Sequence, residues 1–347
     1  MRVFVTGATG LLGNNLVRQL RDKGHDVIGL VRSPDKARWL LGDTGASWIQ
    51  GDMRDVAGFA AALDGRDAVF HTAAYFREYY QPGSHDEALE TINIKGTLAL
   101  LEAADARGVR RFVHTSSSGT VGRTADGSPG DEDTPPDELA RDNGYFKSKV
   151  DGDAAIKAWR PRNGLEVVEI LPGWMWGPGD AAPTGAGQVA LDFLGGRLPV
   201  IPAGGMSTVD ARDVAAAMLT AWERAPAGAR YLVAGRFVKL AEILRMLEEA
   251  TDLPGPRRRL PHALVWVFAA VSELWGRVTG RPVLVSRAAI RMLRAEIELS
   301  SARAERDLGV TFRPLEVTVR DTVAWYRSEP RFADKIARKG RLALAAG

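Results

Sequence analysis

Tyr145 and Lys149 stand four residues apart in the run Tyr145-Phe146-Lys147-Ser148-Lys149. On a helix that spacing puts the phenol and the ammonium on one face. A phenol beside an ammonium is easier to ionise, which suits it to acid/base work near neutral pH. Upstream, Thr115-Ser116-Ser117-Ser118 follows the apolar pair Phe112-Val113. If that pair lies in a strand, the hydroxyls sit at its C-terminal end, where ligands of parallel sheets bind. The two conditions are independent, and together they describe a catalytic Ser-Tyr-Lys set.

A second group of residues reads as a ligand cradle. Gly7-Ala8-Thr9-Gly10-Leu11-Leu12-Gly13 follows the strand-like Arg2-Val3-Phe4-Val5 and opens a helical pattern. Glycines in such a turn let the backbone approach a pyrophosphate, whose charge is favoured by the amides and dipole of the helix N-terminus. The spacing is G-x-x-G-x-x-G, not the general G-x-G-x-x-G, so taken alone it also suits an ordinary strand-to-helix turn. The second strand ends in Leu30-Val31-Arg32-Ser33-Pro34-Asp35-Lys36. An acidic residue there would hold a ribose 2′-hydroxyl, whereas an arginine matches a 2′-phosphate through its planar fork. NADP(H) is therefore favoured over NAD(H). Asp52, after the third strand, either accepts the adenine amino group or caps the next helix.

The elements that must position these groups alternate. Short apolar runs at Val3–Val5, Val27–Val31, Trp48–Ile49, Ala68–Phe70, Phe112–Val113 and Val167–Ile170 are separated by stretches with apolar residues at helical spacing. Leu12, Leu16, Val17 and Leu20 mark one helix, and residues 89–107, closing at Gly108, mark another. This pattern predicts an α/β fold, a doubly wound parallel sheet of the Rossmann type. After Pro172 glycine and proline accumulate, predicting loops with one helix near Val189–Leu194; Ala211–Arg224 reads as helix and Tyr231–Val233 as strand. The expected division is residues 1–171 as the dinucleotide-binding domain, with 207–235 returning to it. Residues 172–206 and 236–330 would form a smaller, mostly helical substrate cap, and 331–347 a basic tail.

Composition narrows the class. The 347 residues are 45% hydrophobic and 26% charged, ordinary for a soluble globular chain. There is no cysteine, which removes disulfides, zinc-thiolate sites and thiol catalysis, and five scattered histidines predict no metal site. A formal net charge of +3 without a basic, aromatic-interleaved stripe predicts no nucleic-acid partner. The longest apolar run, Ala263–Val271, is too short to cross a bilayer, and with no basic-plus-apolar leader the expected location is cytoplasmic. The stretch 262–276, with Trp266, Phe268 and Trp275, reads as cap core, a pocket wall or a membrane-surface patch.

With these residues in place, the chain resembles the extended branch of the short-chain dehydrogenase/reductases, within the NAD-dependent epimerase/dehydratase superfamily. The resemblance rests on Thr6 to Gly13, Gly51-Asp52-Met53-Arg54-Asp55, His71-Thr72-Ala73-Ala74, Asn93-Ile94-Lys95-Gly96-Thr97, the serine run, Tyr145 to Lys149, Trp176-Gly177-Pro178-Gly179-Asp180, and Val209 to Ala215. It covers residues 1 to about 330 in order, and it looks nearest to dihydroflavonol-4-reductase-like, hopanoid-associated sugar epimerase-like and 3β-hydroxysteroid dehydrogenase-like proteins. The G-x-x-G-x-x-G spacing is the form expected of this branch.

The resemblance implies that Tyr145 is the acid/base and that Lys149 holds the nicotinamide ribose. Ser117 would polarise the substrate carbonyl, or Ser118 if the run is aligned as in sugar epimerases. It places Gly7, Thr9, Gly10, Leu11, Leu12, Gly13, Arg32, Lys36, Asp52, Met53, Ala73, Ala74, Pro172, Trp174 and Met175 around the cofactor. Tyr75, Phe76, Ser118, Trp174 and Met206 would meet the substrate. Trp174-Met175-Trp176 replaces the smaller side chains and tyrosine usual after that proline, which alters the pocket. Asn93 either fixes the helix near the site or starts one.

The first expectation is an NADP(H)-dependent enzyme interconverting a ketone and a secondary alcohol on an apolar or polycyclic small molecule. A nucleotide-sugar epimerase or dehydratase with retained NAD is the alternative, and an NADP-responsive regulatory protein the third. A homodimer through helices near Leu98 and Ala154 would be typical of the branch.

Overall fold

The computed structural model describes residues 1–76, 79, 83–160, 163–198, 200–201, 203–257 and 287–337. The apolar stretch 262–276 and the end of the basic tail lie outside the described residues.

Apolar runs bounded by turns become strands β1 (Arg2–Thr6), β2 (Asp26–Val31), β3 (Ser47–Gln50), β4 (Ala68–His71), β5 (Arg111–Thr115) and β6 (Glu166–Pro172). Two short strands, β7 (Trp174–Trp176) and β8 (Gly205–Asp210), precede β9 (Arg230–Val233) and β10 (Arg236–Lys239). Seven of them form one parallel sheet in the order β3-β2-β1-β4-β5-β6-β9. The chain order reverses between β1 and β4, and it is outside such a switch point that α/β sheets bind ligands. β4 is buried along its whole length, as a strand covered on both faces must be.

Helices cover both faces. On one, α1 (Leu11–Asp22) presents Leu12, Leu16, Val17 and Leu20 to a core shared with Val214 and Met218 of a later helix, Ala211–Arg224. The helix α2 (Pro34–Leu41) follows β2. On the other face, α3 (Gly96–Asp105) and α4 (Gly144–Trp159) bury Leu100, Leu101 and Ile156 with Phe59 and Phe112. The helical stretch expected over 89–107 is present, with a difference: Leu89–Lys95 is wound as π-helix before α3 begins. Gly108 ends the segment with φ +69°, which glycine adopts without strain.

The smaller region holds α5 (Gly185–Leu194), α6 (Ala211–Arg224), α7 (Leu240–Thr251), α8 (Arg287–Ala295), α9 (Ala302–Leu308) and α10 (Leu315–Ser328). Of these, α6 packs back on the main sheet. A separate core joins Trp176, Phe193, Ile243, Leu247, Val319 and Tyr326. A second sheet, β10-β8-β7, was not expected: β8 runs parallel to β7 and antiparallel to β10. Residues 207–210 therefore pair with the small sheet, while β9 pairs with β6 in the main one. The junction is tight at Gly173, where a Cβ would lie 2.6 Å from the Ala234 carbonyl oxygen and 2.7 Å from that of Ser207.

Candidate active site

The glycine turn is shaped for backbone approach. Gly7 has φ +67°, and a Cβ on it would lie 2.7 Å from the Ala73 amide nitrogen. A Cβ on Gly13 would lie 2.1 Å from the Gly7 carbonyl oxygen. Gly10 caps α1 without a side-chain hydrogen bond, so the first-turn amides of Leu11, Leu12 and Gly13 have no partner within the helix. Such a site fits a dinucleotide pyrophosphate. Helix α1 is fixed from behind: the Asn14 side-chain amide donates to the Gly179 carbonyl (3.0 Å) and that of Asn15 to Pro178 (2.9 Å). This is the structural use of the Trp176–Asp180 motif.

Arg32 is exposed at the end of β2, and Lys36 lies one turn into α2, whose N-terminus Ser33 caps by accepting from the Lys36 amide. Two cations thus stand at the C-terminal end of β2 and the start of α2. Asp52 accepts from the Arg54 amide (2.9 Å) and pairs with its guanidinium (3.2 Å), bonds that close a turn over Asp52–Asp55; no helix starts there, so it caps none. Met53 is core, its carbonyl oxygen 2.6 Å from where a Gly96 Cβ would lie. The Ala73 amide donates to the Thr6 hydroxyl, and Ala74 follows it at the end of β4.

Tyr145 and Lys149 share the buried face of α4, as their spacing predicts. Asn143 caps that helix by accepting from the amides of Tyr145 and Phe146. Asn93, from the π-helical stretch, donates to the Ser148 hydroxyl (3.0 Å) and exchanges hydrogen bonds with the Tyr75 backbone. It therefore ties α4 to the loop after β4. Lys149 is 4% exposed and donates to the Thr115 carbonyl at the end of β5 (2.9 Å). Burial pushes its ammonium down to about 8, and the Asp153 carboxylate pulls it back up.

The serines of the run diverge. Ser116 donates to Asp153 (2.8 Å), and the Ser117 hydroxyl accepts from the Gly119 amide (3.1 Å) within its own loop. Ser118 lines an open cleft together with Gly119, Phe146, Met206, Met292 and Leu299, among others. Ser117 is not among the described residues lining that cleft. The aromatic ring of Phe76 meets Tyr145 edge to face at 4.8 Å, and Tyr75 packs in the same cluster. Pro172 ends β6. Beyond it Trp174 packs on the cap core and against Trp176, 5.3 Å between rings, whereas Met175 packs on the core of the main sheet. Neither is among the described residues lining the cleft.

Sequence reasoning did not single out Met292, Ile297 and Leu299, which reach the cleft from the far end of the chain. It also missed the polar layer beneath Lys149. There His71 and His114 stack at 5.4 Å, and burial holds both imidazoles neutral. Asp153, Glu169 and Arg230 meet beside them. Among the described residues no cluster of His, Asp or Glu is arranged to hold a metal, and no helix is long and apolar enough to cross a membrane.

Comparison with known proteins gives this geometry its context. The NAD dependent epimerase/dehydratase family matches residues 3–234. Sterol demethylase protein B of Methylococcus capsulatus is 34% identical over 330 residues, covering 94% of this chain and 98% of that one. A putative dihydroflavonol 4-reductase of Synechocystis is 32% identical, covering 94% of each. A 3 beta-hydroxysteroid dehydrogenase/Delta 5→4-isomerase of Mycobacterium tuberculosis is 32% identical, covering 91% of this chain and 87% of its own length.

Proposed function

The chain belongs to the NAD dependent epimerase/dehydratase family, and from that premise we propose an NADP(H)-dependent enzyme interconverting a ketone and a secondary alcohol on an apolar, polycyclic small molecule. The observation that carries this reading is the lining of the cleft beside Ser118 and Phe146. It is built mainly of Val121, Leu139, Met206, Met292, Ile297 and Leu299. Asp137 is the only charged residue among the described residues of that lining, and its carboxylate is engaged by the Ala140 amide and Arg123. A nucleoside diphosphate would need cationic partners here. A flat apolar skeleton needs only contact area. The relatives' names, sterol, dihydroflavonol and hydroxysteroid, agree with that chemistry.

The dinucleotide, when bound, gives or takes the hydride. Arg32 and Lys36 would hold its 2′-phosphate, and the glycine turn its pyrophosphate. Asp52, Ala73, Ala74 and Pro172 border the same strand ends. The Ser118 hydroxyl would donate to the substrate oxygen, with Ser117 as the alternative donor. Tyr145 would give its phenolic proton to that oxygen in reduction and take it back in oxidation. Lys149, charged below about pH 8, would hold the ribose hydroxyls and favour the phenolate.

The test is twofold. Mass spectrometry of gently purified protein should find NADP(H) or no dinucleotide. NADPH consumption should then appear with polycyclic ketones such as 3-ketosteroids, and not with UDP-glucose. Retained NAD together with epimerisation of a UDP-sugar would overturn the proposal in favour of a nucleotide-sugar epimerase.

A further inference from the structure

We propose that Asp153 is a positioning residue for the acid/base centre: its carboxylate, on the same face of α4 as Tyr145 and Lys149, supplies the counter-charge that keeps Lys149 an ammonium. This rests on the proposed Ser-Tyr-Lys reading and adds a fourth member to it.

The three residues recur every fourth position, so they line one strip of the helix. Around Lys149 the sheet offers little to hold a positive charge. From β5 it receives one carbonyl, that of Thr115. The imidazoles of His71 on β4 and His114 on β5 are held neutral by burial and carry no counter-charge. Arg230, from β9, is itself a cation. Two carboxylates remain, Asp153 and Glu169 of β6. Burial, with Asp153 nearby, pushes Glu169 up to about 7, so at neutral pH it spends much of its time protonated. Asp153 is also raised by burial, but Arg230 (3.0 Å) and the Ser116 hydroxyl (2.8 Å) oppose that and favour its carboxylate form. Both bonds go to one oxygen. The other, Oδ1, accepts none and lies 3.9 Å from His114 Nε2.

The arrangement has a division of labour. Ser116, which sequence alone places among the candidate hydroxyls of the site, is spent on orienting Asp153. Arg230, with its side chain 31% exposed, links the buried pair to the surface, and Arg160 reaches Glu169 at 3.6 Å from the end of α4. The charge that stabilises Lys149 thus comes from below the site, leaving the space above it for substrate and cofactor.

Asp153→Asn keeps the shape and an acceptor oxygen but removes the charge. The probe is NADPH binding, followed by protein-to-nicotinamide energy transfer from pH 6 to 9.5. In the parent chain affinity should fall as Lys149 loses its proton, with a midpoint near pH 8. In Asp153→Asn that midpoint should move toward acid by about one unit, a roughly tenfold change in the ionisation constant. Asp153→Glu should restore it. If the asparagine variant does not fold, Ser116→Ala, which removes one of the bonds orienting the carboxylate, should give a smaller shift in the same direction. A midpoint unmoved in these variants, even with lowered thermal stability, makes Asp153 merely structural and overturns the proposal. Lys149→Met separates the two readings. Loss of the alkaline limb there, with Asp153→Asn unshifted, rejects Asp153 alone, whereas an unchanged limb rejects Lys149 as the ribose-binding group and Asp153 with it.

Discussion

The roles proposed for Tyr145, Lys149 and Arg32 can be tested one side chain at a time. Tyr145→Phe removes only the ionisable oxygen from a ring packed against Phe76. It should lower turnover by roughly 10²–10⁴, the usual contribution of a general acid, with NADPH affinity within about twofold in a fluorescence titration. Unchanged turnover would remove the tyrosine from the mechanism. Arg32 is exposed and the role proposed for it is electrostatic, so Arg32→Asp should change the ratio of NADPH to NADH affinity. A charged hydrogen bond is worth about 1.5–3 kcal/mol, so the preference should shift toward NADH by about tenfold or more. Identical ratios would refute the 2′-phosphate assignment. The placement of both residues is readable in the sequence because it depends on local spacing, Tyr145 to Lys149 along a helix and Arg32 at a strand end. The choice between Ser117 and Ser118 is not readable, since it depends on which hydroxyl the loop turns inward.

At the scale of elements, the glycine turn and the serine loop are each limited by a close approach. A Cβ on Gly13 would meet the Gly7 carbonyl at 2.1 Å, too close for local relief. Gly13→Ala should therefore displace the start of α1 and lower NADPH affinity by at least tenfold, with far-UV circular dichroism preserved; overpacking of this kind costs about 1–3 kcal/mol. Full affinity in that variant would mean the turn does not set the phosphate site. A Cβ on Gly119 would lie 2.2 Å from the Phe146 ring, which couples the serine loop to α4. The main-sheet strands and helices are legible in the sequence because each has a clear period and a turn at its end. The small sheet is not. Its strands are short, β7 has three residues, and its pairing partners lie more than thirty residues away in sequence. Likewise the spacing shows Asn93 on a helix but cannot show that the helix loosens into a π turn to aim it at Ser148.

The whole molecule carries an opposition between buried imidazoles and buried carboxyls that should be visible in its stability. Unfolded, His71 and His114 bind protons near pH 6.5; folded, His71 is pushed down to about 3 and His114 well below its ordinary value. Their contribution is complete above pH 6.5 and is lost as pH falls, at about 1.4 kcal/mol per pH unit for each proton. Glu169 and Asp180 act the other way. Burial raises them to about 7 and about 6, so the folded chain binds their protons more tightly than the unfolded one, and their cost is relieved as pH falls toward 4.5 and 3.8. Between about pH 6 and 4.5 the two effects offset each other, and below about pH 4 the imidazoles still distinguish the states, joined by Asp43 and Asp131, whose carboxyls are held below their ordinary value. Urea unfolding should therefore show a shallow pH dependence from 6 to 4.5 and a steep loss below 4. Glu169→Gln removes one offsetting proton. Whatever it does to absolute stability, its curve should fall relative to the parent's by about 1 kcal/mol per unit as pH drops from 7 to 4.5. Parallel curves over that range would show that Glu169 is ionised in the fold, and would leave Arg160 and Arg230 as its true counter-charges.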